Sequence, residues 1–360
     1  MSNTRYFLGG NTSSGFHSLY HELSRPEEMQ ALYILKGGPG CGKSTLMRRV
    51  ARHARAAGLD TEEIPCSGDP DSLDGLLLPA LGTAIVDGTA PHVVEAGCPG
   101  AVDRYVDLSC FYDRQALQPL KEKLLSAAKE YRGHYKGAYR CLGAAGELGR
   151  NVWEAVSAPE VEEKLARRAR GIIGRELKKT GGGAGHLSQR FLSALTCRGR
   201  LTLWETVEAQ ADRVYELRDQ YGLAHQLLSP ILAAALAAGH DVVACPDPLS
   251  PDRLAHLILP GLALAFVTST PEQPWPHRPY RRLRLDAVPD AVRHHLNHPK
   301  LRFTRKVMAA LEGEAVDGLA RAKAAHDSLE GLYHPHVDFE GVQRAADALA
   351  EEILTAPAST

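Results

Sequence analysis

The seven cysteines of this 360-residue chain (41, 66, 98, 110, 141, 197 and 245) include no Cys-x-x-Cys pair. An odd, scattered set of this kind supports neither a disulfide framework nor a zinc knuckle. Long apolar runs are also missing. Even residues 257–267 contain a proline and a glycine, whereas crossing a bilayer takes about 20 apolar residues. The opening MSNTRYFLGG has no basic segment followed by an apolar one, so no secretory leader is expected and the expected compartment is the cytoplasm. Neither sign of charge dominates: 42 Lys and Arg stand against 43 Asp and Glu, which leaves no global basic footprint for nucleic acid. Aromatic residues are sparse at 6%, but 44% hydrophobic positions suffice for a full core, and the length favours two domains.

What the chain does have is concentrated in residues 33–47, YILKGGPGCGKSTLM. Gly37 to Ser44 match G-x-x-x-x-G-K-[ST], the phosphate-binding P-loop. The β-favouring run LYILK precedes it. A helical pattern follows, with Leu46, Met47, Val50 and Ala54 on one face and Gly58 placed to end it. Glycines at 37, 38, 40 and 42 let the backbone wrap with its N–H groups turned inward, and the helix start adds its positive dipole end. The expected nucleotide cradle is therefore Gly37, Gly38, Pro39, Gly40, Cys41, Gly42, Lys43, Ser44 and Thr45. Lys43 supplies positive charge to the β and γ phosphates, and the Ser44 hydroxyl is placed to ligate Mg²⁺.

Such a site needs an acid at the end of an apolar strand to hold the metal. AIVD, ending at Asp87, fits. HVVE, ending at Glu95, is the rival, as metal acid or as the residue that positions the attacking water. Lys43, Asp87 and Glu95 are thus the candidate catalytic residues, with Ser44 and Asp87 the candidate metal ligands.

An internal repeat bears on this choice. Aligned without gaps, residues 58–89 and 239–270 share thirteen identities in thirty-two positions, where unrelated segments share about two or three. The register extends upstream, where FLGGNTSSG faces FLSALTCRG. Across the P-loop, Tyr33, Leu35, Gly40 and Leu46 face Tyr215, Leu217, Gly222 and Leu228, while Gly42, Lys43 and Ser44 face Ala224, His225 and Gln226. Asp87 faces Thr268. Lysine, metal hydroxyl and acid are lost together, which favours Asp87 over a mere turn former. The same comparison marks Thr12 and Gly15, repeated as Thr196 and Gly199, as a loop requirement. Asp69-Pro70-Asp71-Ser72, facing Ser250-Pro251-Asp252-Arg253, has the chemistry of a helix start. Asn11, matched by Leu195, is left open.

Helical spacing over residues 113–139, 151–179 and about 302–354 gives each half a helical appendage, joined through the glycine run of residues 181–187. Domains of residues 1–180 and 188–360 follow. The basic residues Lys164, Arg167, Arg168, Arg170, Arg175, Lys178 and Lys179 suit a solvated helix face, with a lid over the triphosphate as the sharper alternative. Arg253, Arg278, Arg281, Arg282 and Arg284 are candidates for an arginine reaching the first site from the second half. His334-Pro335-His336 with Asp338 lacks a fourth ligand at metal-site spacing. His294-His295 fits a surface stretch, and the terminal TAPAST a frayed end.

The elements YILKGGPGCGKSTLM, DPDSLDGLLLP, AIVDGTAPHVVE and PGAVDRYVDL, with the restart RFLSALTCRG, resemble a bacterial family of largely uncharacterised tandem P-loop ATPase-like proteins. The resemblance covers nearly the whole chain and implies nucleotide binding and hydrolysis. This chain departs from the family in its degenerate second loop and in Glu95, where the family often has Asp. The expected fold is α/β, two tandem P-loop NTPase-type three-layer domains from an internal duplication. The expected activity is Mg²⁺-dependent ATP hydrolysis in the first, with the second a scaffold. A kinase acting on an acceptor, or a non-catalytic nucleotide sensor, are the alternatives. Absence of a guanine-reading NKxD tetrapeptide makes adenine the default. A protein partner or acceptor is left open, and no membrane or nucleic-acid partner is expected.

Overall fold

A computed structural model describes residues 3–23, 29–291 and 296–355. His294, His295 and the last five residues lie outside the described residues. The first half runs β1 (Asn3–Arg5), β2 (Gly9–Thr12), β3 (Gly15–Ser18), β4 (Ala31–Lys36), α1 (Lys43–Ala56), β5 (Thr61–Pro65), β6 (Leu73–Leu78), β7 (Thr83–Asp87), β8 (Asp103–Asp107), α2 (Arg114–Leu117), α3 (Lys121–Val156) and α4 (Pro159–Glu176). The second runs β9 (Leu187–Gln189), β10 (Ser193–Thr196), β11 (Gly199–Thr202), α5 (Trp204–Gln210), β12 (Arg213–Arg218), α6 (Ala224–Ala237), β13 (Val242–Pro246), β14 (Leu254–Leu259), β15 (Leu264–Ser269), β16 (Arg281–Arg284), α7 (His298–Tyr333) and α8 (Phe339–Thr355). None of the described helices is long and apolar enough to cross a membrane.

The molecule is mixed α/β with two six-stranded sheets. Their orders are β1-β5-β6-β7-β4-β8 and β9-β13-β14-β15-β12-β16. Position for position the senses agree: an antiparallel run in the middle, parallel neighbours at both ends. Alternation along β4 assigns its faces, as a strand's period of two requires. Leu32 and Ile34 join one core, Tyr33 and Leu35 another.

The two sheets, one from each half, share a centre. Leu32, Ile34, Ala84 and Val86 of the first sheet belong to the same core as Val214, Ile258, Ala265 and Val267 of the second, built around Phe7 and Phe191. Those two phenylalanines exchange backbone hydrogen bonds reciprocally, at 2.9 and 2.8 Å. Helices cover the outer faces, and here the halves trade elements. Ala346, Leu349, Ala350 and Ile353 of α8 pack on Leu46, Met47, Val50 and Ala54 of α1. Val161, Leu165, Ala169 and Ile172 of α4 pack on Leu227, Leu228, Ile231 and Ala235 of α6. Each half's last helix therefore closes the other half's sheet. The paired tyrosines explain themselves in this light: Tyr33 donates to Glu352 of α8 at 3.0 Å, and Tyr215 to Glu176 of α4 at 2.5 Å.

Other local expectations shift. The helix expected to break near residue 140 instead continues through Gly143, Gly146 and Gly149. Gly146 seats Ser13 where a Cβ would lie 2.5 Å from that residue's own. At the long α3–α7 contact, a Cβ on Gly318 would meet that of Ala138 at 3.2 Å. Asp69-Pro70-Asp71-Ser72 starts no helix; it is a turn, with Ser72 N donating to Asp69 O at 2.8 Å, and LDGLLL behind it is the strand β6. The glycine run is no free tether either, since Thr180 N and Gly185 N donate to the end of α6, to Ala238 O and Leu236 O.

Candidate functional site

The loop from 37 to 42 leaves β4 and enters α1 at Lys43. Gly40 and Gly42 have φ of 69° and 87°, the left-handed region that costs other residues strain. Lys43 Nζ donates to Gly37 O at 2.8 Å and Gly38 O at 3.0 Å, and lies 3.6 Å from Asp87 Oδ2. Asp87 ends β7, the parallel neighbour of β4, level with Leu35. Its Oδ1 accepts from Thr89 N and Oγ1 at 2.9 and 2.6 Å, so it both shapes the turn and presents Oδ2 to the lysine. Burial pushes the Asp87 carboxyl above its ordinary range despite Lys43. Ser44 Oγ accepts from Leu73 N at 2.8 Å. Cys41 is buried beneath the loop, Tyr112 donates to Pro39 O at 3.0 Å, and Thr45 is exposed.

Glu95 is not brought to this group. Its carboxylate is exposed and held by Lys36 Nζ at 2.9 Å and Tyr105 OH at 2.7 Å. Asp74 takes its place. One residue beyond the Gly75–Val86 pair of the β6–β7 ladder, it stands beside Asp87, buried, with its Oδ2 3.0 Å from His92 Nε2 and 3.3 Å from Tyr20 OH. Burial opposes both charges, yet each outweighs it for the other: Asp74 is held below the ordinary carboxylate range and His92 above the ordinary imidazole value. A sequence signal for Asp74 existed. It faces Ala255 in the otherwise matching segment, lost together with Lys43 and Asp87.

The second half covers the loop. Glu330, near the end of α7, accepts from Gly40 N at 3.0 Å. A Cβ on Gly40 would meet His334 at 2.9 Å, and one on Gly42 would meet Val342 of α8 at 3.1 Å. His334 and His336 thus sit in the turn over the loop. Among the described residues, the groups that could hold a metal are Cys66–Asp74–His92 and His326–Asp327–Glu330, and neither contains them.

The matching loop in the second half is one residue shorter, 219–223 against 37–42, and the two helices pair Lys43 with Ala224 and Ser44 with His225. The alignment that set His225 opposite Lys43 is therefore shifted by one. His225 Nδ1 accepts from Leu254 N at 3.1 Å, as Ser44 accepts from Leu73 N. Inside this loop lies the Asp219 carboxylate, 4% exposed, accepting from Tyr221 N at 2.9 Å and Ala224 N at 2.6 Å. Burial raises it, and the amides of Tyr221, Ala224, Leu223 and Gly222 all pull the other way. An internal anion fills the anion nest.

The candidate arginines Arg253, Arg281, Arg282 and Arg284 make their contacts around the second half's own loop and β16, with Arg253 also reaching α3 of the first half. Arg253 lies over Trp153 and donates to Gly222 O; Arg282 pairs with Glu216 and Arg284 with Asp286. Arg281 on β16 lies over the Tyr280 ring. Nor is α4 a lid on the first loop: Arg168 donates to Arg284 O and Arg175 to Tyr215 OH, both on the second half. Asn11, left open above, is a junction residue, donating to Leu195 O at 2.8 Å and accepting from Tyr139 OH at 2.9 Å. Thr12 and Thr196 each donate to the carbonyl of the following left-handed glycine, Gly15 or Gly199. Searched for similarity, the chain matches no family model, no curated protein and no solved structure.

Proposed function

We propose that the first half binds ATP with Mg²⁺ and hydrolyses it, and that the second half, a duplicated copy, has become a partner that binds no nucleotide. The observation that carries this reading is the difference between the loops. One has two left-handed glycines, Gly40 and Gly42, with Lys43 at the helix start and Asp87 Oδ2 3.6 Å from it; the other has one, Gly222, with Ala224 at the helix start and the Asp219 carboxylate in the nest. The hydrogen bond that Gly40 N donates to the Glu330 carboxylate supports an anion-binding loop.

The residues present suit the metal. Ser44 Oγ retains its proton and second lone pair after accepting from Leu73 N, and Asp87 is a buried carboxylate raised by burial, which a cation would relieve. When bound there, Mg²⁺ supplies charge neutralisation across the phosphate oxygens. Lys43 exchanges the Gly37 and Gly38 carbonyls for phosphate oxygens, loop amides orient them, and Thr89 fixes the Asp87 carboxylate. Closure by Glu330 from the other half favours a regulated site, so a nucleotide sensor is the second reading.

Calorimetry of the full chain with ATP, with and without Mg²⁺, and phosphate release test this. Lys43→Ala should abolish binding with the fold retained. Unchanged affinity in that variant rejects the site, and binding without turnover selects the sensor.

A further inference from the structure

At the edge of the second sheet, α4 and β16 enclose a groove of about 460 Å³ whose walls include four arginines, Arg168 and Arg175 from the helix and Arg282 and Arg284 from the strand. Arg168 ties the two walls together, donating to Arg284 O at 3.3 Å. Arg282 and Arg284 are oriented by Glu216 and Asp286 at 2.5 and 3.7 Å, yet their side chains stay 52% and 67% exposed, and that of Arg175 45%. A guanidinium has five N–H donors, so one carboxylate contact leaves most of each fork to solvent. The charge also extends past the groove. Residues 164–179 carry seven Lys and Arg and residues 278–284 four, against one acid, Glu176, which is turned inward onto Tyr215 and Arg213. The whole-chain balance, which gave no reason to expect nucleic acid, averages this edge away.

The duplicated half shows that the fold does not require such charge. Tyr33 and Tyr215 hold Glu352 of α8 and Glu176 of α4, and they face Arg104 of β8 and Arg281 of β16. Counted from those anchors, Glu351 takes the place of Arg175, and Asp107 that of Arg284. An aromatic face adjoins the basic one. Tyr280 is 47% exposed, its ring edge-on to that of Tyr215 at 5.5 Å, and the Tyr215 hydroxyl accepts from Arg175 at 3.4 Å. Arg281 lies over the Tyr280 ring, 5.4 Å from its centroid.

We infer that the α4–β16 edge binds single-stranded nucleic acid, with backbone phosphates along the groove arginines and a base stacked on Tyr280. From Lys164 to Arg175 the basic track runs about 16 Å along α4, longer than one phosphate needs, and a cationic groove beside an exposed ring is the combination that single strands use. It uses none of the groups around Lys43, so it stands or falls apart from the nucleotide reading.

The full chain, without ATP, is titrated against a fluorescent oligothymidylate of about 15 nucleotides, with anisotropy read between about 50 and 200 mM salt. Binding should weaken as salt rises. Arg175→Gln combined with Arg284→Gln removes two phosphate contacts and should flatten the slope of log K against log salt by about 1.4. Tyr280→Ala should weaken binding about 5- to 150-fold, the worth of one stacked base, and leave that slope unchanged. No binding by the wild type at the lowest salt would overturn the proposal, as would an unaltered slope in the double variant. Polyglutamate or inorganic polyphosphate displacing the strand at equal charge, with Tyr280→Ala binding like the wild type, would make the edge a general polyanion surface and overturn its assignment to nucleic acid. The wild-type titration and competition decide even where a variant does not fold.

Discussion

Truncating a side chain in α8 should unfasten α1, on the opposite half of the chain. Ile353 is 2% exposed and lies in one core with Leu46, Met47, Val50 and Ala54 of α1. Replacing a buried isoleucine by alanine costs about 2–5 kcal/mol. If the α1–α8 contact opens as a unit, its open population rises about 30-fold to several thousand-fold. Native-state hydrogen exchange on Ile353→Ala reads this directly as lost protection along residues 46–56, with α6 keeping its own. The reciprocal variant is Ile172→Ala in α4, also 2% exposed, which should strip α6 and spare α1. Loss confined to α7, α8 and the second sheet in the first variant would refute the exchange of helices. The same logic makes a fragment of residues 1–184 a poor ATPase, because it exposes the α1 face that α8 covers.

Further outcomes follow from the site. Asp87→Asn should remove most of the Mg²⁺ dependence of ATP binding, while Glu95→Gln, altering only an exposed pair with Lys36 and Tyr105, should leave it unchanged; calorimetry at several Mg²⁺ concentrations separates them. Glu330→Gln weakens the acceptor on Gly40 N and should raise ATP affinity, by about 5- to 150-fold if the contact has ordinary coupling strength. Asp219→Ala empties the second nest and strands at least the Tyr221 and Ala224 amides, so urea denaturation should show a loss of about 1–3 kcal/mol per stranded group with ATP affinity at the first loop retained. The Asp74–His92 pair should make stability depend on pH at both ends. Its His92 contribution is complete below the ordinary imidazole value of 6.5 and is lost as pH rises through the raised folded value. Its Asp74 contribution is complete above the ordinary carboxylate value of 3.8 and is lost as pH falls through the lowered one. Urea midpoints of the wild type against Asp74→Asn across pH check both limbs.

The features legible in the sequence were those fixed by local spacing. β4, the glycine loop, α1 and Asp87 at a strand end all follow from residue type at short range. Asp74 was missed because differences between the halves were weighed only at the glycine loop and at strand-end acids, although its replacement by Ala255 carried the same signal as the loss of Lys43. Asp219 was hidden by a one-residue gap placed in the wrong part of the loop. The DPDS turn was mistaken for a helix start because the same Asp, Pro and Ser chemistry serves both, and LDGLLL, buried on both faces, shows no alternation to betray a strand. Nothing local could name the partner of α4 or α8. An apolar stripe states that a helix must be covered and is silent about by which half.

The Asp219 carboxylate has a consequence for motion. A phosphate group arriving from solution must surrender translational freedom to enter a nest, but an acceptor hung from the loop's own Cα has none to surrender, so free anions cannot compete with it effectively. Under the proposed reading, the second half is held permanently in a state resembling the filled one, and the α3–α4 junction rests against a surface that does not change. The α7–α8 junction rests on a loop whose occupant can exchange. A molecule nearly symmetric in its strands is thereby asymmetric as a machine: one half is the stator, and any stroke driven by nucleotide originates at Gly40 and is delivered through α7 and α8.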